Sequence, residues 1–140
     1  QIAIALKQRN LDALERIFWA VSDPKSPEYQ NFMSIQEINE LVAPRDQDKQ
    51  AVMRWLHHAG VLARDITDMS DALEVKVTVA QAQEMFSTQI YVYRHTNGKT
   101  LSTCTRTTGR VVTRSFGSWS VPEELAHIIE MVEGVSTFPV

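Results

Sequence analysis

The sequence predicts an α+β fold in which helices pack on one face of an antiparallel sheet. Three observations predict it. Segments 2–7, 73–79 and 89–95 alternate apolar with polar or small residues, the period of a half-buried strand. Segments between them repeat apolar residues every three or four positions, the stripe of an amphipathic helix. The chain has 140 residues, 44% hydrophobic and 22% charged, the size and balance of one folded domain, 1–140, with a real core.

In order, Ile2, Ile4 and Leu6 alternate with Ala3, Ala5 and Lys7, which predicts a strand. Asn10 is a suitable N-cap for a helix whose stripe is Leu11, Leu14, Phe18 and Val21. Pro24 and Pro27 prevent that helix from continuing, so 22–33 is a connector with Tyr29 and Phe32 as anchors. Ser34 and Glu37 have the spacing of a capping box for a short helix over about 35–42. After Pro44, Asp46 can cap a helix carrying Val52, Trp55, Leu56 and Ala59, and Gly60 stands where helices commonly stop. Segment 61–67 then reads as a strand, and Leu73, Val75, Val77 and Val79 as another. Thr78 and Gln81 form a second capping box, opening a helix to about Phe86. Ile90 and Val92 alternate with Tyr91 and Tyr93, and Asn97-Gly98 is a hairpin-turn signal. Residues 101–116 read as further strand and loop, broken at Gly109. Pro122, Glu123 and Glu124 suit the start of a last helix, with Leu125, Ile128, Ile129 and Val132 as its stripe.

With the helical insertion after the first helix set aside, and the C-terminal helix counted as an addition, the order is β-α-β-β-α-β. This is the split βαβ, ferredoxin-like plan. Its sheet has one face under helices and one face open to solvent or a partner.

Composition narrows the function. Seventeen acids against 14 bases leave a net charge of −3, opposite to the basic excess of most nucleic-acid binders. No apolar run approaches the roughly 20 residues of a membrane span, so neither nucleic acid nor membrane is an expected partner. Cys104 is the lone cysteine, so an internal disulfide is impossible, and it sits among Thr and Ser as a silent thiol. The chain begins with Gln1 and no secretory signal pattern precedes the first strand, as expected of a processed segment. His57 and His58 fall opposite their helix's apolar stripe, His127 on a polar side, and His95 before the turn; none has metal-ligand spacing. Carboxylates such as Glu123/Glu124 and Asp65/Asp68 sit at cap or turn positions. Neither a Gly-x-Ser-x-Gly elbow nor a phosphate loop is present. No catalytic residue, cofactor or metal is therefore expected.

The open sheet face is the candidate site. If Ile90 and Val92 pack under the helices, Tyr91 and Tyr93 lie on the opposite face, with Ala3, Ala5, Glu74 and Lys76 by the same alternation. Small residues beside tyrosines suit docking of another protein, because Tyr is enriched at binding hot spots. The alternative is that the chain after residue 100 covers this face. Trp19, on the polar side of its helix, either covers the 22–33 connector or lies exposed.

One string is more specific than any pattern. Asn10-Leu11-Asp12 and Leu14, followed by Ala20-Val21-Ser22-Asp23-Pro24-Lys25-Ser26-Pro27-Glu28-Tyr29, resemble the signature of pro-kumamolisin-type activation domains. These are the propeptides of sedolisins, the serine-carboxyl peptidases that include tripeptidyl peptidase I. The resemblance continues through Leu41-Val42-Ala43-Pro44, Val52-Met53-Arg54-Trp55-Leu56, Ala59-Gly60 and 77–83. It reaches Val121-Pro122-Glu123-Glu124-Leu125, Val132-Glu133-Gly134 and Phe138-Pro139. The chain departs from the pattern at Gln30-Asn31, where the family often has Gly. The resemblance implies the same ferredoxin-like plan and a non-enzymatic role. Such a segment chaperones and inhibits the cognate sedolisin catalytic domain, in cis within the zymogen, until acid triggers self-cleavage. It implies a secreted or lysosomal precursor, and it carries no catalytic residue or calcium ligand onto this chain.

Two other readings compete with it. One is a free-standing ferredoxin-like binding module for a small ligand or RNA, using Tyr91 and Tyr93. The other is a small hydrolase using His57 or His58.

Overall fold

The computed structural model describes residues 1–94 and 111–136. In chain order the elements are β1 (Ile2–Leu6), α1 (Leu11–Ser22), α2 (Ile35–Val42), α3 (Asp46–His58), β2 (Ile66–Asp68), β3 (Ala72–Val75), α4 (Val79–Met85), β4 (Ile90–Arg94), β5 (Val111–Ser115) and β6 (Ile129–Glu133). Four strands form one antiparallel sheet in the order β2-β3-β1-β6. Here β3 lies between β1 and β2, and β1 lies between β3 and β6. Interleaving of the two halves in this way is the split βαβ plan that the periodicity predicts. β4 and β5 pair as a separate two-stranded sheet, with Ile90 opposite Ser115 and Tyr93 opposite Val112.

β1 shows why alternation matters. Ile2, Ile4 and Leu6 are buried while Ala3 and Ala5 are half-buried on the other face. The buried row meets Leu73 and Val75 of β3, Val132 of β6, Val52 and Leu56 of α3, and Ala82 and Met85 of α4. Four strands spaced about 4.8 Å apart leave room for roughly two helices about 10 Å across. α3 and α4 take both places.

The helical insertion is thereby reassigned. The sequence treats the first helix as the one that covers the sheet, and the helices after it as inserted. In the structure α3 makes the crossing, and α1 with α2 is the insertion. Val21 and Val42 are the buried residues of those two helices, and neither joins the main core. The Arg9 N–H donates to the Val42 carbonyl over 3.0 Å, and the Asn10 amide donates to the Leu41 carbonyl over 2.8 Å. These bonds tie the start of α1 to the end of α2.

The added C-terminal helix is also corrected. Glu123–Leu125 makes a single 3₁₀ turn, and Ile129–Glu133 is the edge strand β6. A register shift opposite Ala5 and Leu6 lets one extra residue, Glu130, slip into β6. Such a bulge places Ile129 and Val132 on the buried face, three positions apart. The strand therefore carries the spacing of a helix.

Several local signals act as predicted. Ser34 and Glu37, and Thr78 and Gln81, form reciprocal capping boxes. Gly60 adopts φ +77° after α3. Two caps differ. Asn10 is left-handed, with its side chain spent on Leu41. Asp46 sits inside the first turn of α3, after an Arg45 cap that makes no side-chain bond.

The β4–β5 hairpin is fastened to the core at its base. Buried Ser115 donates its N–H to Val135 over 2.7 Å, and its hydroxyl lies 2.6 Å from that of Thr88. Phe86 receives Trp55 and Trp119 edge-on at 5.7 and 5.9 Å, joining α3, α4 and the segment after β5. The Asn97-Gly98 turn, Gly109, Cys104 and His95 lie outside the described residues.

Candidate partner-docking surface

The strand registers assemble the open face of the four-stranded sheet in rows. One row runs Thr67, Glu74, Ala3, Glu133. The next runs Ala72, Ala5, Met131. The first offers two carboxylates on either side of an alanine, and the second offers two methyl groups beside a thioether. Met131 is 57% exposed, Glu133 is exposed, and Ala3, Ala5 and Glu74 are half-buried. β6 extends the sheet edgewise, so its pairing with β1 does not lay it across this face. The Gln1 amide donates to Glu74 over 2.8 Å and steadies that carboxylate at one margin.

Five of the six expected face residues divide between two sheets. Ala3, Ala5 and Glu74 share the four-stranded sheet. Lys76 lies just past the end of β3, exposed, with its N–H donating to the Asp65 carbonyl over 2.8 Å. Tyr91 and Tyr93 belong to β4, in the other sheet. Tyr91 is 52% exposed, and its hydroxyl donates to Gln89. Ile90 packs against the core, whereas Val92 is 70% exposed. The condition set for one continuous face, burial of both Ile90 and Val92, therefore holds only at the base of β4.

Ala72, Met131 and Glu133 were missed as members of the face. The β6 bulge hid the last two, since the segment has helix-like spacing. Ala72 precedes the clearest stretch of alternation, but it is legible as the next outward position before Glu74.

The ionisable groups of the described residues show no reactive cluster. His57, His58 and His127 are exposed, and Nδ1 of His57 lies 3.1 Å from the Val61 carbonyl. Among the described residues, no group of three or more His, Cys, Asp or Glu side chains could hold a metal ion. Two carboxyls depart from their ordinary range. Burial works to raise that of Asp68, but the Lys49 ammonium 2.9 Å away and the Ser70 N–H outweigh it and hold the group low. The backbone N–H and hydroxyl of Ser34 lower that of Glu37 through the capping box. Both are structural roles at a strand end and a helix start.

Trp19 resolves to its exposed alternative. It is 62% exposed and meets Phe18 edge-on at 5.3 Å.

Comparison with known proteins adds a family. A family model described as "Pro-kumamolisin, activation domain" matches residues 1–138. Physarolisin of Physarum polycephalum is 31% identical over 138 residues, covering 99% of this chain and 22% of that protein. Tripeptidyl-peptidase 1 of Mus musculus is 33% identical over 138 residues, covering 99% of this chain and 23% of that protein. Tripeptidyl-peptidase 1 of Dictyostelium discoideum is 27% identical over 139 residues, covering 99% of this chain and 22% of that protein. The chain thus spans less than a quarter of the length of these curated relatives.

Proposed function

This chain belongs to the pro-kumamolisin activation-domain family, and from that premise we propose that it is the propeptide of an acid-activated serine-carboxyl peptidase. In this reading it helps the peptidase domain of its precursor to fold, holds that domain inactive, and releases it in acid. It breaks no bond itself, and it travels in a precursor bound for secretion or an acidic compartment. The observation that carries the reading is the family match over residues 1–138.

The open sheet face supports a docking mode. Alanine ends at Cβ, so an element of the peptidase domain can reach van der Waals contact along Ala3, Ala5 and Ala72. Glu74 and Glu133 on either side of Ala3 favour donors or cations on that element. Tyr91 and Tyr93 supply a separate contact from the hairpin. Acid weakens such an interface in two ways. Carboxylates begin to neutralise below about pH 5, and histidines gain charge. Charging the four histidines moves the formal charge from −3 to +1.

The test is inhibition in trans. Purified 1–140 should slow hydrolysis of a peptide by the peptidase domain of its own precursor at pH 7, and release it at pH 4. Ala5→Arg should weaken inhibition at least tenfold, since a long cation cannot fit where a methyl group made contact. Equal affinity at pH 7 and pH 4 overturns acid release, and hydrolysis by 1–140 alone overturns the non-enzymatic role. Salt-dependent binding of single-stranded RNA would favour the alternative of a free binding module.

A further inference from the structure

The apolar face of α1 is wider than the part that the fold buries. Ala13, Leu14, Ile17, Ala20 and Val21 form the more buried row. Leu11 and Phe18 border that row and Trp19 lies beyond them, and the three are 51%, 57% and 62% exposed. The connector returns to α1. The Gln30 N–H donates to the Val21 carbonyl over 2.9 Å, which folds the connector back onto the last turn of α1. Phe32 follows in that connector at 71% exposure, and Ile35 opens α2 at 79%. The apolar stripe of a surface helix ordinarily faces a core, and here the margin of the stripe does not. Exposed aromatic side chains in mutual contact, as Phe18 and Trp19 are, mark an interaction surface.

The charge of the same unit says what kind of surface covers it. Residues 10–42 carry six acids (Asp12, Glu15, Asp23, Glu28, Glu37 and Glu40) against Arg16 and Lys25, a net of −4. The whole chain is −3, so the remainder is +1. All eight charged residues are exposed, and neither ion pair found among the described residues, Lys49–Asp68 or Arg64–Asp65, lies in this unit. An apolar centre with an acidic surround disfavours a second copy of the same unit, because pairing would set −4 against −4. It favours a partner with the opposite surround.

We propose that the outer side of α1, centred on Phe18 and Trp19, is a second docking surface for the peptidase domain, whose matching face is apolar at its centre and rimmed by lysine and arginine. This rests on the activation-segment reading and is distinct from the sheet-face contact. The insertion of α1 and α2 into the first βαβ unit thereby gains a purpose that the core does not supply: it presents aromatic anchors beyond the sheet.

The experiment compares wild-type 1–140 with the double variant Phe18→Ser, Trp19→Ser for binding to the peptidase domain of its precursor at pH 7. Wild type should bind, and the variant should bind at least about thirtyfold more weakly, as loss of an aromatic hot-spot pair does. Its thermal midpoint should fall by no more than a few degrees, because both side chains are more than half exposed. In a separate arm, Glu15→Gln, Glu28→Gln should flatten the loss of affinity with added salt. If wild type fails to bind, the propeptide reading itself falls. If wild type binds and the aromatic variant binds equally well, this surface is overturned while the propeptide reading stands. Sedimentation that shows a wild-type dimer converted to monomer by the aromatic variant would assign the surface to a second copy and overturn the proposal.

Discussion

Gln30 holds φ at +65°, a left-handed conformation that a side chain with Cβ adopts at a cost of about 1–2 kcal/mol. It stands where the family resemblance has Gly, so the departure lies at the position where glycine is easiest to accommodate. Gln30→Gly should raise stability by about 0.5–1 kcal/mol, the strain relieved less the extra freedom of the unfolded chain. Urea denaturation followed by circular dichroism measures it, and a loss of stability would show that the Gln30 side chain holds the connector. Gly134 is the opposite case. Its φ is +93°, and a Cβ there would come within 2.8 Å of the Gln1 carbonyl oxygen and 3.2 Å of the Ile2 Cα. Both neighbours are backbone of the strand paired with β6, so neither can swing aside. Gly134→Ala should cost about 2–4 kcal/mol, from backbone strain plus displacement of β1. A midpoint within experimental error of wild type would refute that.

At the scale of elements, Gln81 couples two helices. Its Oε1 accepts from the Thr78 N–H over 3.0 Å, and its Nε2 donates to the Gly60 carbonyl over 3.0 Å and more weakly to Ala59. One side chain thus closes the start of α4 and satisfies carbonyls left open at the end of α3. Gln81→Ala should cost about 1–2 kcal/mol, more than an ordinary cap. Gln81→Glu should keep the capping box and lose the bonds to Ala59 and Gly60, so it should fall between the two. If glutamate proves no better than alanine, the box contributes nothing. The same element shows what a sequence makes legible. Thr78, Gln81 and Gly60 act through local spacing, and such spacing can be read directly. β1 and β3 show their faces because an unbroken strand keeps its period of two. β6 does not, because its bulge converts that period into three. The role of α1 was illegible for a different reason: Leu11, Leu14, Phe18 and Val21 do make a stripe, but the sequence does not say whether a stripe faces the sheet, another helix or a separate protein. The open face was half legible. Ala3, Ala5 and Glu74 follow from alternation, whereas placing Tyr91 and Tyr93 requires knowing that β4 pairs with β5 in a separate sheet.

For the molecule as a whole, the question is whether acid releases this domain by unfolding it or by weakening its contacts. Only Glu37 and Asp68 among the described groups show carboxyls held below their ordinary range. A carboxyl lowered by folding contributes stability above its unfolded value, about 3.9 for Asp and 4.3 for Glu, and loses it as pH falls through the lower folded value. These two contributions are therefore intact at pH 5 and above, and fade below about pH 4. They are also small. Glu37 is fully exposed, and the side chain of Asp68 is 55% exposed, so its pairing with Lys49 has the few-tenths-of-a-kcal/mol scale of a surface ion pair. Among the described residues, the core that holds the fold, from Ile4 and Leu73 to Leu56 and Phe86, contains no charged side chain. The isolated domain should therefore keep its thermal midpoint within about 3 °C between pH 7 and pH 5, since roughly 1 kcal/mol corresponds to several degrees in a domain of this size. Its affinity for the peptidase domain should fall instead as pH drops below about 5, where carboxylates begin to neutralise. Calorimetry of 1–140 beside a binding titration at each pH separates the two events. A midpoint that collapses in step with the affinity would make unfolding the release mechanism, and the charged surfaces would lose their part in it.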